Sequence, residues 1–481
     1  MNSRYKIIYK KYGEYIALAA LILLYTVVLS YLSILKHNSF ASGYDLSNMD
    51  QTIWNTLRGR FFSVTQSQHT VSRFSIHSDL ILVFLTPLYI IWPNVRMLLI
   101  FQSFMLGLGA IPTYLIAKKV LKWKVISLII AFLYLLNPAL QWTNIYDFHP
   151  VTLAIPFLLF GMYFAYTKRW KWYFVFMFLA ALTKEEVPLT IAMIGILIAI
   201  LQKEYRMAAL TIIPSIFISW LSVKVSIPHF NNNDYMYMGW YQNLFNALKN
   251  YAPHELPLYI LNTYFLNPDA IQYYNLLLRP FTFLPLLGFP FLIISLPELS
   301  INLLSDHSQM RSIVLHYDSV VLPGLIVSTI VGLLVIKIIV NKFIKGKWNK
   351  LTFYIVSLII LYIGFRFNYH HSPLPSTPSC WCLMYTQSQE DVDFENVLSR
   401  IPEHASVTAS PEIRAHISHR ENAYTLPDGS ETADYVAIIT QNRLIGDYNK
   451  KKFELELISK LLANPAYKLT FRSTHFYLFQ K

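Results

Sequence analysis

Apolar positions along this chain fall into long unbroken runs rather than into the stripes of a water-soluble helix. Residues 15–35, 97–117, 125–142, 151–166, 207–227, 320–340 and 351–365 are such runs, and a helix of about 20 apolar residues crosses a hydrocarbon core about 30 Å thick. Residues 80–92 are apolar over only about 13 positions, too few for a span, and predict an interfacial or re-entrant helix. Residues 172–182 and 187–201 predict a hairpin with an outward turn at 183–186. The stretch 273–304 must cross twice, turning near Gly288 and Pro290, or not at all. Beyond residue 367 the pattern changes. Pro373, Pro375 and Pro378 mark a linker over 368–384, and 385–481 mixes charged and apolar residues in the manner of a small α/β domain. Helices are expected over 393–400 and 453–462, and strands over 406–409, 435–440, 467–472 and 475–479.

Charge fixes the expected orientation. Arg4, Lys6, Lys10 and Lys11 place the N-terminus in the cytoplasm by the positive-inside rule, and the first helix, too long for a signal-peptide core, is read as retained. The loop 36–95 is then external. Lys118, Lys119, Lys122 and Lys124 bring the next helix back inside, as do Lys168, Arg169 and Lys171, Lys203 and Arg206, and the lysines around residues 337–350. About eleven crossings result, with the tail outside. The expected class is a mostly α, polytopic membrane bundle over residues 1–367 with a small extracytoplasmic α/β domain.

Composition agrees: 54% of residues are hydrophobic and 14% charged, against about a quarter charged in soluble domains. The net charge of +13 is read as topology signal at helix ends, not as a nucleic-acid surface. Cys380 and Cys382 are the only cysteines. They stand too close together to close a useful loop, and no disulfide framework or zinc ligand set is expected.

In this apolar background the acids stand out, nearly all except Glu14 and Glu204 on the external side. They sit beside His, Lys or amide groups at helix ends, where ionisable side chains are costly and often functional. Asp45 either caps or serves a helix whose stripe Leu46, Met49, Ile53, Trp54 and Leu57 would lie on the membrane surface. Asp50, turned about 140° away, is expected to bind a neighbouring loop. Asp147 and His149 precede Pro150 and either cap the next helix or face a site. Lys184, Glu185 and Glu186 are either a self-neutralising ion pair or part of that site. His316-Tyr317 is either an interfacial anchor or a further member. His77 with Asp79 is the remaining pair.

The run Tyr44-Asp45-Leu46 through Asp50-Gln51 and Trp54-Asn55, the Tyr146-Asp147-Phe148-His149-Pro150 loop, Lys184-Glu185, Pro297-Glu298 with Asn302-Leu303-Leu304, and His316-Tyr317 resemble the membrane family known as domain of unknown function 2079. Ala405-Ser406-Val407, His416 to Arg420, Leu426-Pro427 and Ala433-Asp434-Tyr435 extend the resemblance into the tail. That family is similar to the C-type glycosyltransferases, whose donors are sugars linked to polyprenyl phosphate and whose first external loop bears an Asp just after helix one. The resemblance implies Asp45 in that place. No second Asp adjoins it to make a paired-carboxylate metal motif, and the need for a divalent cation stays open.

Sugar transfer from a lipid phosphate needs a carboxylate to take the acceptor's proton and cationic groups to steady the departing phosphate. Asp45 is the candidate base. Lys184, His149 and His316 are the candidates for the phosphate, with Asp147, Glu185, Asp50 and His77 orienting them. The expected partners are membrane lipid, the lipid-linked donor and an acceptor of unspecified kind. The competing class is a lipid or solute carrier that uses the same polar cluster as a gate or proton relay.

Overall fold

Where the apolar runs lie, the computed structural model has helices, which satisfy every backbone N–H and C=O internally as hydrocarbon requires. It describes residues 3–67, 69–441, 443 and 448–481. The side chains of Arg4, Lys6, Lys10 and Lys11, which carry the cytoplasmic reading of the N-terminus, lie outside the described ones. Among the described residues five helices are long and apolar enough to cross a membrane: Tyr12–Asn38, Arg96–Leu121, Tyr205–Phe230, Val321–Phe343 and Trp348–His371. The run 125–142 is two helices, Lys124–Leu135 and Pro138–Tyr146, bent by 42°. The bend follows from Asn137, whose side chain caps the second helix, and from Pro138, which lacks the N–H needed to continue the first. Counted as one span, this pair makes six. Pro150–Tyr166, Trp170–Ala181, Val187–Gln202 and Phe289–Leu304 are shorter apolar helices, as is Ile81–Ile91 in the first loop.

The stretch 273–304 is a chain of short pieces: Pro268–Leu278, Leu284–Leu287, a 3-10 turn at Phe289–Ser295, and Leu296–Leu304. Pro280, Pro285, Pro290 and Pro297 interrupt it, each removing a backbone donor. Glycine lets the pieces press onto the helix Val321–Phe343. A Cβ on Gly288 would stand 2.1 Å from the Ser328 carbonyl oxygen, and one on Gly332 would stand 2.2 Å from that of Leu284.

Helix α1, Ser3–Asn38, runs into the first loop, which holds helix α2, Tyr44–Leu57, a hairpin of β1, Ser63–Gln66, with β2, His69–Ser72, and helix α3, Ile81–Ile91. The tail contributes β3, Val407–Ala409, β4, Ala423–Thr425, β5, Tyr435–Ile439, β6, Lys468–Arg472, and β7, Phe476–Gln480, with helices Gln389–Leu398 and Tyr448–Ala463. They form one sheet in the order β4-β3-β5-β7-β6, parallel across β4, β3 and β5 and antiparallel beyond. The helices and four of these strands fall where alternation placed them, and β4 is additional.

Two expectations are overturned here. Helix α2 does not lie on a membrane surface. Leu46 through Asn55 are all buried, the polar Asn48, Asp50, Gln51, Thr52 and Asn55 included, because the tail covers its polar face. Arg414 of the tail, fully buried, donates to Asn48 Oδ1 and the Thr65 carbonyl, each at 2.7 Å, and to the Ala423 carbonyl at 3.0 Å. Phe40, just after α1, packs into the tail's own core against Phe394 and Phe476. Cys380 and Cys382 are joined in a disulfide, their Cα atoms 5.1 Å apart across Trp381. The expectation that they would not pair weighed only loop entropy, whereas a local turn brings the Cα atoms within bonding range.

Candidate functional site

Four turns at the ends of apolar helices meet around a cavity of about 510 Å³. Asp45 enters it from the first turn of α2. Gly43 is the N-cap residue of that helix and no side chain caps it, so the cap role open to Asp45 is not taken up. The carboxylate is 47% exposed toward the cavity and stands 3.5 Å from His149 Nε2. Burial works to raise its pKa, but the hydrogen bond and charge of His149, with the more distant charges of Arg73 and His77, prevail and hold it below the ordinary aspartate value.

His149 precedes the 3-10 turn Pro150–Leu153 without capping it. Gln102 Oε1 accepts its backbone N–H at 2.9 Å, and its ring stacks on His316 with centroids 3.8 Å apart. His316 is therefore a wall of the site and not an interfacial anchor. Burial first, and His149 second, push its pKa well below the ordinary histidine value, so at neutral pH it offers a neutral N–H and no positive charge.

The Thr183 to Glu186 turn supplies the third face. Lys184 Nζ lies 2.7 Å from Glu186 Oε1. Burial disfavours its charge, but the adjoining carboxylates of Glu186 and Glu185 outweigh that and raise its pKa. Glu185 does not orient Lys184 by contact. It receives His77 Nδ1 at 2.8 Å, the Ser78 N–H at 3.0 Å and the Tyr235 hydroxyl at 3.2 Å. These contacts, led by His77, overcome burial and hold Glu185 down at about 2.

Asp147 stands elsewhere than expected. Asp147 accepts from Lys36 Nζ at 2.9 Å and from the Gly43 N–H at 2.8 Å. It neither lines this cavity nor orients its cations, but ties the end of α1 to the start of α2. Asp50 faces the tail, where it accepts from Tyr89 and Ser418 and pairs with His419 at 3.1 Å. The 140° turn from Asp45 placed it there.

Several lining residues escaped the sequence reading: Arg73, which rather than His77 is the partner of Asp79 in a buried bidentate pair with Nη2 to Oδ2 at 2.7 Å, and Tyr235, Tyr237 and Tyr241, which also line the cavity. Tyr237 donates to or accepts from His77 Nε2 at 2.8 Å. The density of tyrosines after residue 234 was the available signal. Among the described residues no three His, Cys, Asp or Glu side chains are grouped to hold a metal ion, so no step below is routed through one. Lys184 is paired with Glu186 and Arg73 with Asp79, while Glu185 and Glu298 also line the cavity, and Asp45 beside His149 is an ionised acceptor of protons at the rim.

The model of the family described as Predicted membrane protein (DUF2079) matches residues 36–473. The chain belongs to that family. No curated protein matches it significantly in sequence. Among solved structures it is similar to ArnT from Cupriavidus metallidurans bound to undecaprenyl phosphate, with a TM-score of 0.51 and 9% identity over 96% of this chain and 97% of that one. It is also similar to the Archaeoglobus fulgidus oligosaccharyltransferase in complex with Zn and sulfate, with a TM-score of 0.48 and 14% identity over 87% of this chain and 68% of that one. The first likeness shows a shared fold, and at such identity it speaks for architecture alone.

Proposed function

We propose that this protein is a membrane glycosyltransferase that moves a sugar from a polyprenyl-phosphate donor to an extracytoplasmic acceptor, with Asp45 as general base. One observation supports the reading: an ionised carboxylate, Asp45, stands 3.5 Å from His149 at the rim of a cavity that Lys184 and Arg73 also line, each paired with a carboxylate. In the reaction an acceptor oxygen bonds to the sugar C1 and its proton passes to Asp45. The bond from C1 to the phosphate oxygen breaks with its electron pair on the phosphate. Lys184 and His149, with Arg73 behind them, steady that growing charge, and His316 offers a neutral N–H. Glu185 acts through His77, and Asp147 and Asp50 act through the backbone of α2, as positioning residues. ArnT, whose fold this chain shares, was solved bound to undecaprenyl phosphate, and a lipid of that kind suits a cavity at the ends of apolar helices.

Besides Ile81–Ile91, which does not cross in this topology, four shorter helices bring the six spans to ten, and the eleventh crossing that leaves the domain 385–481 outside, beyond the bundle 1–367 and the linker 368–384, requires 273–304 to cross twice. Impermeant thiol labelling tests this orientation, because a cysteine placed in the Lys118 to Lys124 loop must stay unlabelled from outside intact cells. The function itself is tested with purified full-length protein in nanodiscs and a panel of polyprenyl-phosphate sugars. Transfer or saturable donor binding supports it. A protein that neither binds nor transfers from any donor but moves lipid or solute across a vesicle wall is a carrier.

A further inference from the structure

Asp45 stands where two cavities meet. With Tyr44 it lines the cavity of His149 and Lys184 and also a second one, of about 670 Å³, reaching to the disulfide turn. The second cavity has a different chemistry. Trp142 and Trp381 meet there edge to face, with ring centroids 4.7 Å apart. Trp142 is fixed by donation from Nε1 to the His371 carbonyl at 2.6 Å, and Trp381 is held between the bonded Cys380 and Cys382. The polar lining is largely uncharged, with Gln272, Gln309 and Ser312. Of the charged groups besides Asp45, Lys36 and Asp147 neutralise one another at 2.9 Å.

We propose that this second cavity is the acceptor site and that the acceptor is an uncharged carbohydrate. The inference rests on the glycosyltransferase reading. Trp381, half-buried and backed by the buried Trp142, offers a ring face to the apolar C–H face of a pyranose, while amide and hydroxyl groups bond the hydroxyls at its edge. An anionic acceptor would have to give up hydration without finding a free countercharge, and a cationic one would neutralise the Asp45 carboxylate that must take the proton. Its hydroxyl, presented to Asp45 from this cavity, bonds to the donor C1 and yields its proton to the carboxylate, while the phosphate leaves into the first cavity.

The test uses full-length protein in nanodiscs and saturation-transfer NMR titrations with cellotriose, maltotriose and chitotriose. A neutral tripeptide and glucose 6-phosphate are the contrasting probes. At least one trisaccharide binds saturably, Trp381→Ala weakens it by about tenfold or more, and Trp381→Phe retains most of the affinity. Gln309→Ala, at an exposed position, weakens it severalfold and supplies the reading should Trp381→Ala not fold. The inference is overturned if no trisaccharide binds, if the tripeptide or the sugar phosphate binds instead, or if folded Trp381→Ala and Gln309→Ala both bind the trisaccharide as the wild type does. Undecaprenyl phosphate is titrated in parallel. Its binding without any trisaccharide binding refutes this inference alone, whereas trisaccharide binding without lipid phosphate refutes the donor reading.

Discussion

Arg414 is the sharpest place to perturb the protein, because one tail side chain holds the helix that presents Asp45. Its guanidinium is fully buried, bonds Asn48 Oδ1, Thr65 O and Ala423 O, and stands 4.6 Å from the Tyr44 ring centroid. Arg414→Met keeps much of the volume and removes these three bonds together with a longer one, 3.4 Å, to Gln51 Oε1. Charge-assisted bonds contribute about 1.5–3 kcal/mol each, or roughly 4.5–9 kcal/mol together. Against that, the substitution relieves the several kcal/mol that burying a guanidinium costs when no carboxylate touches it. Burial lowers the Arg414 pKa despite the opposing influence of Tyr44 and Asp45, which shows the desolvation cost to be the larger electrostatic effect. The net loss is therefore about 2–4 kcal/mol, large beside the usual effect of a surface change. Arg414→Lys should be no better, since an ammonium keeps the buried charge without matching three acceptors in one plane. The assay is thermal unfolding of the full chain in nanodiscs together with sugar transfer, and both melting temperature and turnover should fall in each variant. Wild-type melting and wild-type turnover in Arg414→Met would refute the claim that the tail organises α2.

Asp45→Asn keeps the side-chain size but removes the basicity, so turnover should fall about 100-fold or more with melting and donor affinity nearly unchanged; a folded variant with wild-type transfer would take Asp45 out of catalysis. Lys184→Ala should mainly raise the donor Kd, and since it strands Glu186 the melting point should also drop, a loss that Lys184→Ala with Glu186→Gln partly restores; unchanged affinity in the folded double variant would remove Lys184 from the phosphate site. Asp318, fully buried beneath Tyr273, is pushed up to about 7 by burial, against the opposing hydrogen bond from Tyr273. The folded state therefore binds the extra proton, and stability should decline as pH rises from about 4 through 7. Asp318→Asn should flatten that decline in melts taken across the range, and an unaltered slope would show that another group sets it.

Asp45, His149, Lys184 and His316 were legible because ionisable side chains interrupting apolar runs have few inexpensive places to go, and the structure brings all four to one cavity. Asp147 was equally conspicuous and was misplaced, because the chain pattern says nothing of Lys36, which meets it across 111 residues. The tail helices and β3, β5, β6 and β7 followed from periodicity. The strands β1, β2 and β4 did not, since three or four residues are too few to show an alternation.

The polar face of α2 shows what periodicity leaves undecided. Asn48, Gln51 and Asn55 lie opposite the apolar stripe, and such a pattern is satisfied equally by water or by a polar protein partner. In this chain the partner is the tail. Gln51 donates to Thr65 Oγ1 at 2.8 Å and to the Arg420 carbonyl at 3.0 Å, while Asp50 takes Ser418 and His419. On the other side of the helix start, Asp147 fixes the Gly43 N–H. The segment that carries Asp45 is thus pinned at its entry by the bundle and along its length by the tail. A carboxylate shared by two cavities can serve both only if its helix holds one position relative to each. The tail, though remote from the cavity of Lys184 in sequence, is on this argument part of the apparatus that sets the geometry of transfer.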